Sequence, residues 1–340
     1  MKLRLESASW NKLQTTIEEL YENNIYLTPY SEYKFLDKIR KTANIRRLFE
    51  SKKFRLESYA VYDNDNAVLV APLLVSKAMK RIYLLGEFSS VGHLDFIYSA
   101  SATVQEIESA IDLVLSNYPR YTFCANRISQ FSILKEVFNA KNIFPTSQDI
   151  CVKIDLSSYD EWYKSLKKSC RQNLRTSYNR LNSDNVELSF KLFVNETPPK
   201  KLWKDNISLF SKRILEHTKL PKYLLCPMVL FKRNEVFGKT LYKAKNNIFA
   251  SVILNGALAA TLNGVIANDG RAIIIRLSII ETSFGRYSPG GLLLNETIKE
   301  VSSKYPFIKS IDLSRGDEPY KYTYGGENHY NYSYQFEISD

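Results

Sequence analysis

The chain has 340 residues, 44% of them hydrophobic and 13% aromatic, which excludes a disordered tail and is long enough to build two cores. Its net charge of +11 divides into an excess of +2 over residues 1–150 and +9 over 151–340, so an anionic partner belongs to the second half. Four cysteines without a C-x-x-C pair and three scattered histidines encode neither a disulfide framework nor a zinc site, and no apolar run is long enough to cross a bilayer. No metal site, no membrane span and a cytoplasmic setting are therefore expected.

Trp10, Leu13, Ile17 and Leu20 follow helical spacing and predict an opening helix. From residue 54 the period becomes that of strands. FRLESYAVYDNDNAVLVAPLLV reads as two apolar strands around an Asp63-Asn64-Asp65-Asn66 turn. AIDLVLSNYPRYTFCANRI then reads as helix, Tyr118-Pro119 break, strand. In the second half, IFASVILNGALAATLNGVIANDGRAIIIRLSII predicts a three-stranded antiparallel meander joined at Asn255-Gly256 and Asp269-Gly270, both type I′ turn dipeptides. TIKEVSSKYPFIKSIDLSRG repeats helix, Tyr305-Pro306 break, strand. The Tyr-Pro pairs are offset by 187 residues and the hairpin alanines Ala67 and Ala257 by 190, which points to a duplicated α/β unit; chance recurrence of two common supersecondary pieces is the alternative. Domains are expected at 1–150 and 151–340.

The halves differ ahead of the second helix. GRYSPGGLLL stands at 285–294, where the first half has only SASATVQ. Arg286, Ser288, Pro289, Gly290 and Gly291 follow a strand and open a helix, a place where unpaired N–H groups and the helix dipole favour phosphate. A plain Ser-Pro helix start, with Ser288 as N-cap and Pro289 at the first helical position, is the structural alternative. KSLKKSCRQNLRTSYNR, 164–180, has six basic residues and no acid. On one helix Lys164, Lys167, Lys168, Arg171 and Arg175 would form a cationic stripe for an anionic ligand, with Leu166, Leu174, Tyr178 and Leu181 as the packing face. His217 reads as a surface side chain.

Meander, glycine loop, helix, strand is an order that resembles the core of the GNAT acyltransferases, whose R/Q-x-x-G-x-G/A loop holds the pyrophosphate of acetyl-CoA. Arg286, Pro289 and Gly291 fall on the first, fourth and sixth positions, so the fourth departs from the pattern. The sequence more closely resembles the CelD/BcsL-like group of GNAT acyltransferases, associated with cellulose and other polysaccharide biosynthesis. The resemblance rests on L-x-x-x-x-R-x-x-x-R (Leu166, Arg171, Arg175), Y-S-P-G (Tyr287 to Gly290) and D-x-x-x-G-D-E-P-Y-K (Asp312, Gly316 to Lys321), with a weaker L-D-F-I at Leu94 to Ile97. The group is related to the FemAB aminoacyl transferases, which pair two GNAT-like domains.

The resemblance implies an α/β (α+β) fold of tandem GNAT-like domains, each a mixed, mainly antiparallel sheet flanked by helices, the first degenerate and the second catalytic. It implies an acyl-CoA-dependent N- or O-acyltransferase, with acetyl-CoA as co-substrate, acting on a sugar, nucleotide-sugar or glycan precursor. The two strands after the meander would splay to admit the thioester, with backbone N–H groups near Leu277, Ile279 and Ile280 as oxyanion donors. Asp317, with Glu318 as the alternative, would take the acceptor's proton, and Tyr320 would protonate the leaving thiolate. Arg171, Arg175, Arg315 and Lys321 would hold an anionic group of the acceptor, and Asp95 would line the cleft from the first half. The alternatives are a FemAB-like aminoacyl-tRNA-dependent transferase, the one case in which nucleic acid would be a partner, and a non-catalytic polyanion-binding module.

Overall fold

The computed structural model describes residues 2–41, 53–88, 92–217, 245–279 and 281–339. The chain divides into two compact units, Met1–Ile150 with His329–Asp340, and Cys151–Asn328.

In the first unit β1 (Leu3–Ser7) leads through a 3-10 turn at Trp10–Leu13 into α1 (Gln14–Glu22) and α2 (Tyr33–Arg40). Trp10, Leu13, Ile17 and Leu20 are all buried, as their spacing requires, although the first turn is 3-10. β2 (Arg55–Asp63) and β3 (Asn66–Ser76) form the expected hairpin, and Asn64 takes the left-handed turn position at φ 54°. Then follow β4 (Arg81–Leu84), β5 (Ile97–Tyr98), α3 (Val104–Leu115), β6 (Thr122–Ser129) and α4 (Ile133–Ala140). The strand order is β1-β2-β3-β4-β6, completed by β13 (Glu327–Glu337) beside β6, with β5 paired to β3. β4 and β6 run parallel for three pairs, Arg81↔Thr122 to Tyr83↔Cys124. Beyond them, Asn126 donates to the Glu87 carboxylate at 2.5 Å and the His93 N–H to the Arg127 carbonyl at 3.0 Å. A Thr103–Glu106 capping box closes the N-terminus of α3.

One boundary differs from the sequence expectation. The second domain was expected to run to residue 340, but His329–Asp340 belong to the first unit. β13 pairs antiparallel with β6 from Asn331↔Ser129 to Glu337↔Thr122, and this ladder assigns the segment.

In the second unit β7 (Ser147–Asp155) is followed by α5 (Tyr159–Ser165), α6 (Lys168–Ser183), β8 (Leu188–Val194), α7 (Lys200–His217), β9 (Asn247–Leu254), β10 (Ala257–Ile266) and β11 (Arg271–Ile279). α8 (Pro289–Lys304), β12 (Ser310–Arg315) and α9 (Pro319–Thr323) complete it, in the strand order β7-β12-β11-β10-β9-β8. Leu292, Leu293, Leu294, Ile298 and Val301 of α8 are buried in one cluster with Ala250, Val252, Ala260 and Leu262 of the meander. Each such leucine contributes roughly 1.5–3 kcal/mol by leaving water.

The meander's two turns are unlike. Asn255 and Gly256 both have positive φ, 47° and 76°, as a type I′ turn demands. At Ala267–Gly270 only Gly270 does, and its N–H donates to the Ala267 carbonyl at 2.9 Å, so this is a four-residue loop rather than the expected I′ turn. A Cβ at Gly270 would come within 2.4 Å of the Phe307 carbonyl oxygen, which explains the glycine by close backbone approach.

The basic segment is also not one helix. Leu166, at ψ 145°, ends α5, and α6 restarts at Lys168. Lys164 therefore sits on a different helix from Arg171 and Arg175. Of the expected packing face, Leu174 and Leu181 are buried and Tyr178 half-buried on α6, while Leu166 is buried at the end of α5. Cys124, Cys151 and Cys170 are buried; Cys226 and the side chain of His217 lie outside the described residues.

Candidate functional site

β11 and β12 pair in parallel for only three residues, Arg271↔Ser310 to Ile273↔Asp312, and then separate as the sequence reading expects. Two local irregularities produce the wedge. Opposite Asn263 and Gly264, β11 carries an extra residue, since Asn263 faces Arg276 while Gly264 faces Ile274. Such a bulge bends and twists its strand. Gly264 is required there, because a Cβ would lie 2.1 Å from the Ile273 carbonyl oxygen. On β12 the register with β7 shifts between Asp312 and Arg315, and Ser314 adopts φ 58°. The Ser314 hydroxyl donates to the Ile274 carbonyl at 2.6 Å, satisfying an acceptor that the splay removes from the ladder.

The loop after β12 is held by a buried ammonium. Lys321 is only 2% exposed, and its Nζ donates to the carbonyls of Ser314, Arg315 and Gly316 at 3.1, 2.9 and 2.9 Å and pairs with Glu318 at 3.0 Å. This corrects its expected role as a hook for the acceptor. With four short contacts inside the loop, Lys321 shapes residues 314–318.

Two cavities open at the wedge. One, of 440 Å³, is lined by Leu277 and Ile279 of β11, the start of α8 from Ser288 to Gly291 with Leu294, and Tyr320 and Tyr324. The other, of 200 Å³, is lined by Arg276, Leu277, Ser314, Arg315, Glu318, Tyr320 and Lys321 among others. Leu277 and Tyr320 belong to both. Strand alternation separates the cavities' walls: Ile279 packs toward the α8 helix start, while the adjacent-parity Arg276 stacks its guanidinium 3.3 Å from the Phe210 ring of α7.

The start of α8 differs from that of α3. Its N-cap, Ser288, takes a left-handed φ of 49° and makes no side-chain capping bond, and Pro289 has no N–H. The N–H groups of Gly290 and Gly291, in the first helical turn, have no intrahelical acceptor and stand in the wall of the larger cavity. The glycines also make room for protein. A Cβ at Gly290 would meet Ile279 at 2.5 Å, and one at Gly291 would meet the Tyr324 hydroxyl at 2.2 Å. Burial pushes the Tyr324 phenol up to about 12, so it stays protonated in the neutral range. Sequence reasoning passed over Tyr324, whose only signal was its place one turn beyond Tyr320.

The remaining expected site residues divide. Arg315, Glu318 and Tyr320 line the smaller cavity, and Leu277, Ile279, Ser288, Pro289, Gly290 and Gly291 the larger. Asp317 is exposed and lines neither. Arg286 is exposed, pairs with Asp184 at 3.2 Å and is likewise outside both linings. Arg171 donates to the carbonyls of Lys164 and Leu166 at 2.6 and 3.0 Å and so caps the end of α5, where a cation complements the dipole. That corrects its reading as an acceptor contact. Arg175 is exposed on α6. Asp95, in the first unit, lines neither cavity; burial raises its carboxyl to about 7.

Residues 245–322, which run from β9 through α9, match the family model described as "Acetyltransferase (GNAT) domain". The splayed strands and the uncapped glycine turn lie inside that stretch. Over this stretch the chain is similar to GNAT acetyltransferase domains. The chain is an acyltransferase. No curated protein matches the sequence. Among solved structures, FemX is similar over 98% of this chain and 97% of its own at 9% identity, with a TM-score of 0.63. L-PGS from Bacillus licheniformis is similar over 98% and 94% at 12% identity, TM-score 0.53. A tandem GNAT protein from the clavulanic acid biosynthesis pathway is similar over 100% and 99% at 10% identity, TM-score 0.50. These likenesses establish a tandem GNAT-like fold along the chain.

Proposed function

We propose that the protein transfers an acyl group, acetyl first among them, from acyl-CoA to an amine or hydroxyl of a sugar, nucleotide-sugar or glycan precursor in bacterial surface polysaccharide synthesis in the cytoplasm. The observation that carries the transfer is the pair of cavities sharing Leu277 and Tyr320 at the β11–β12 wedge, one reaching the start of α8 and the other walled by polar side chains. Donor and acceptor can enter separately and meet at that shared wall.

The larger cavity suits CoA. The N–H groups of Gly290 and Gly291 at the positive end of α8 would face its pyrophosphate, and Leu277, Ile279 and Leu294 offer an apolar wall to its pantetheine arm. Acyl-CoA supplies the activated thioester carbonyl. Glu318, rather than Asp317, which lines neither cavity, is the carboxylate in the acceptor cavity and takes the acceptor's proton. Tyr324 retains its proton at neutral pH in the donor cavity and serves as the proton donor, a role first assigned to Tyr320. Tyr320, in both linings, orients the two substrates.

Calorimetric titration with acetyl-CoA, longer acyl-CoAs and aminoacyl-tRNA tests the donor, followed by thiol release in the presence of amino sugars. Micromolar acyl-CoA binding that is lost on adding a carboxylate at Gly290 supports the reading. Salt-sensitive binding of aminoacyl-tRNA without CoA binding would replace it with the FemAB-like alternative.

A further inference from the structure

We propose that the 200 Å³ cavity is an oxyanion pocket, in which Arg276 and Arg315 hold a carboxylate or phosphate carried on the same small unit as the group to be acylated. This rests on the proposed function, because it names the class of acceptor for that site. The charges in the wall decide the sign. Lys321 is committed to three carbonyls and Glu318, and Arg276 and Arg315 add two guanidinium groups to a wall whose lining residues include one carboxylate, Glu318.

Arg276 is well placed for recognition. It sits beside the β11 bulge on a strand, and stacking at 3.3 Å on Phe210 fixes its head. Burial lowers the guanidinium to about 10, which leaves it charged at neutral pH while its partial desolvation strengthens attraction to an anion. Guanidinium geometry matches carboxylate and phosphate oxygens two at a time. At 200 Å³ the cavity is below the roughly 300–1,000 Å³ that enclose a drug-sized ligand, so it admits one sugar-sized unit. Its shared wall at Leu277 and Tyr320 places that unit next to the donor. Anion recognition thus moves from the basic segment, where Arg171 caps a helix, to a residue that sequence reading did not single out.

Glucosamine, glucosamine 6-phosphate and muramic acid have one amino-sugar skeleton and carry no oxyanion, a phosphate and a carboxylate. Calorimetry on the full chain, with and without saturating CoA, should show at least one acid binding about tenfold or more tighter than glucosamine. Which acid is preferred separates the two sources of the oxyanion. In Arg276→Gln that preference should fall to within about twofold while CoA affinity is unchanged. Arg315→Gln, at an exposed position, should reduce it in part and covers the case of an Arg276 variant that does not fold. Equal or absent binding of all three by the wild type, or a preference that survives both variants, overturns the proposal. Loss of CoA binding by the wild type would instead overturn the donor assignment and leave the pocket's anion preference to be judged on its own titration.

Discussion

Lys321→Met would replace an ammonium in a site that is 2% exposed with a side chain of similar length and no donors. Three carbonyls, of Ser314, Arg315 and Gly316, lose their shared partner. An unsatisfied buried polar group costs about 1–3 kcal/mol, and because Arg315 is exposed and Ser314 and Gly316 half-buried, the low end applies to each. The Glu318 pair adds little, since that carboxylate is 56% exposed. A total near 3 kcal/mol follows, which for a unit of this size lowers Tm by roughly 6–12 °C. Urea and thermal unfolding measure this directly, and acyl transfer should fall with it because Arg315, Glu318 and Tyr320 all hang from the clamped loop. A hook for the acceptor behaves differently. If Lys321→Met melts with the wild type and shows only a raised acceptor KM, the structural role assigned here is refuted.

Tyr324→Phe should keep the fold and CoA affinity but lower kcat by about 10²–10⁴, as removal of a positioned proton donor does. With the phenol near 12, the wild-type pH–rate profile should show no loss from its ionisation below about pH 11. Glu318→Gln should depress kcat steeply while Asp317→Asn stays close to wild type; the reverse order in steady-state kinetics would restore Asp317 as the base. Asp95 has a folded-state pKa raised to about 7, so between about 4 and 7 the folded state binds more protons than the unfolded one, and stability must fall as pH rises through that window. Chemical denaturation from pH 4 to 8 should show a decline of up to about 4 kcal/mol, on the order of 1.4 kcal/mol per pH unit, and Asp95→Asn should flatten it.

Much of the architecture was legible because it depends on local rules. Period-two apolar runs and the Asn255-Gly256 turn define the meander, whose strands pair as that pattern demands. The contrast between SASATVQ and GRYSPGGLLL, read only as a missing glycine loop, is in the structure a contrast between a closed capping box and an uncapped helix start. The loop after β12 was recognisable as special from its density of charged and aromatic residues. Its location at the wedge was what the resemblance to the GNAT core implied.

What each charged side chain does was decided by tertiary structure. Lys321, Arg171 and Arg286 look alike in sequence as cations near the expected site. Lys321 turns inward to three loop carbonyls, Arg171 turns back onto the end of α5, and Arg286 pairs with Asp184. Arg276 reads as an interruption in an apolar strand, yet a single bulged residue and a ring from α7 set it in the wall of a cavity. Periodicity reports which face a residue is on. The identity of its neighbours across that face depends on register, bulges and packing between segments distant in the chain, so the sequence by itself determined the elements and the region of the chemistry, and the assembled sheet decided which atoms meet there.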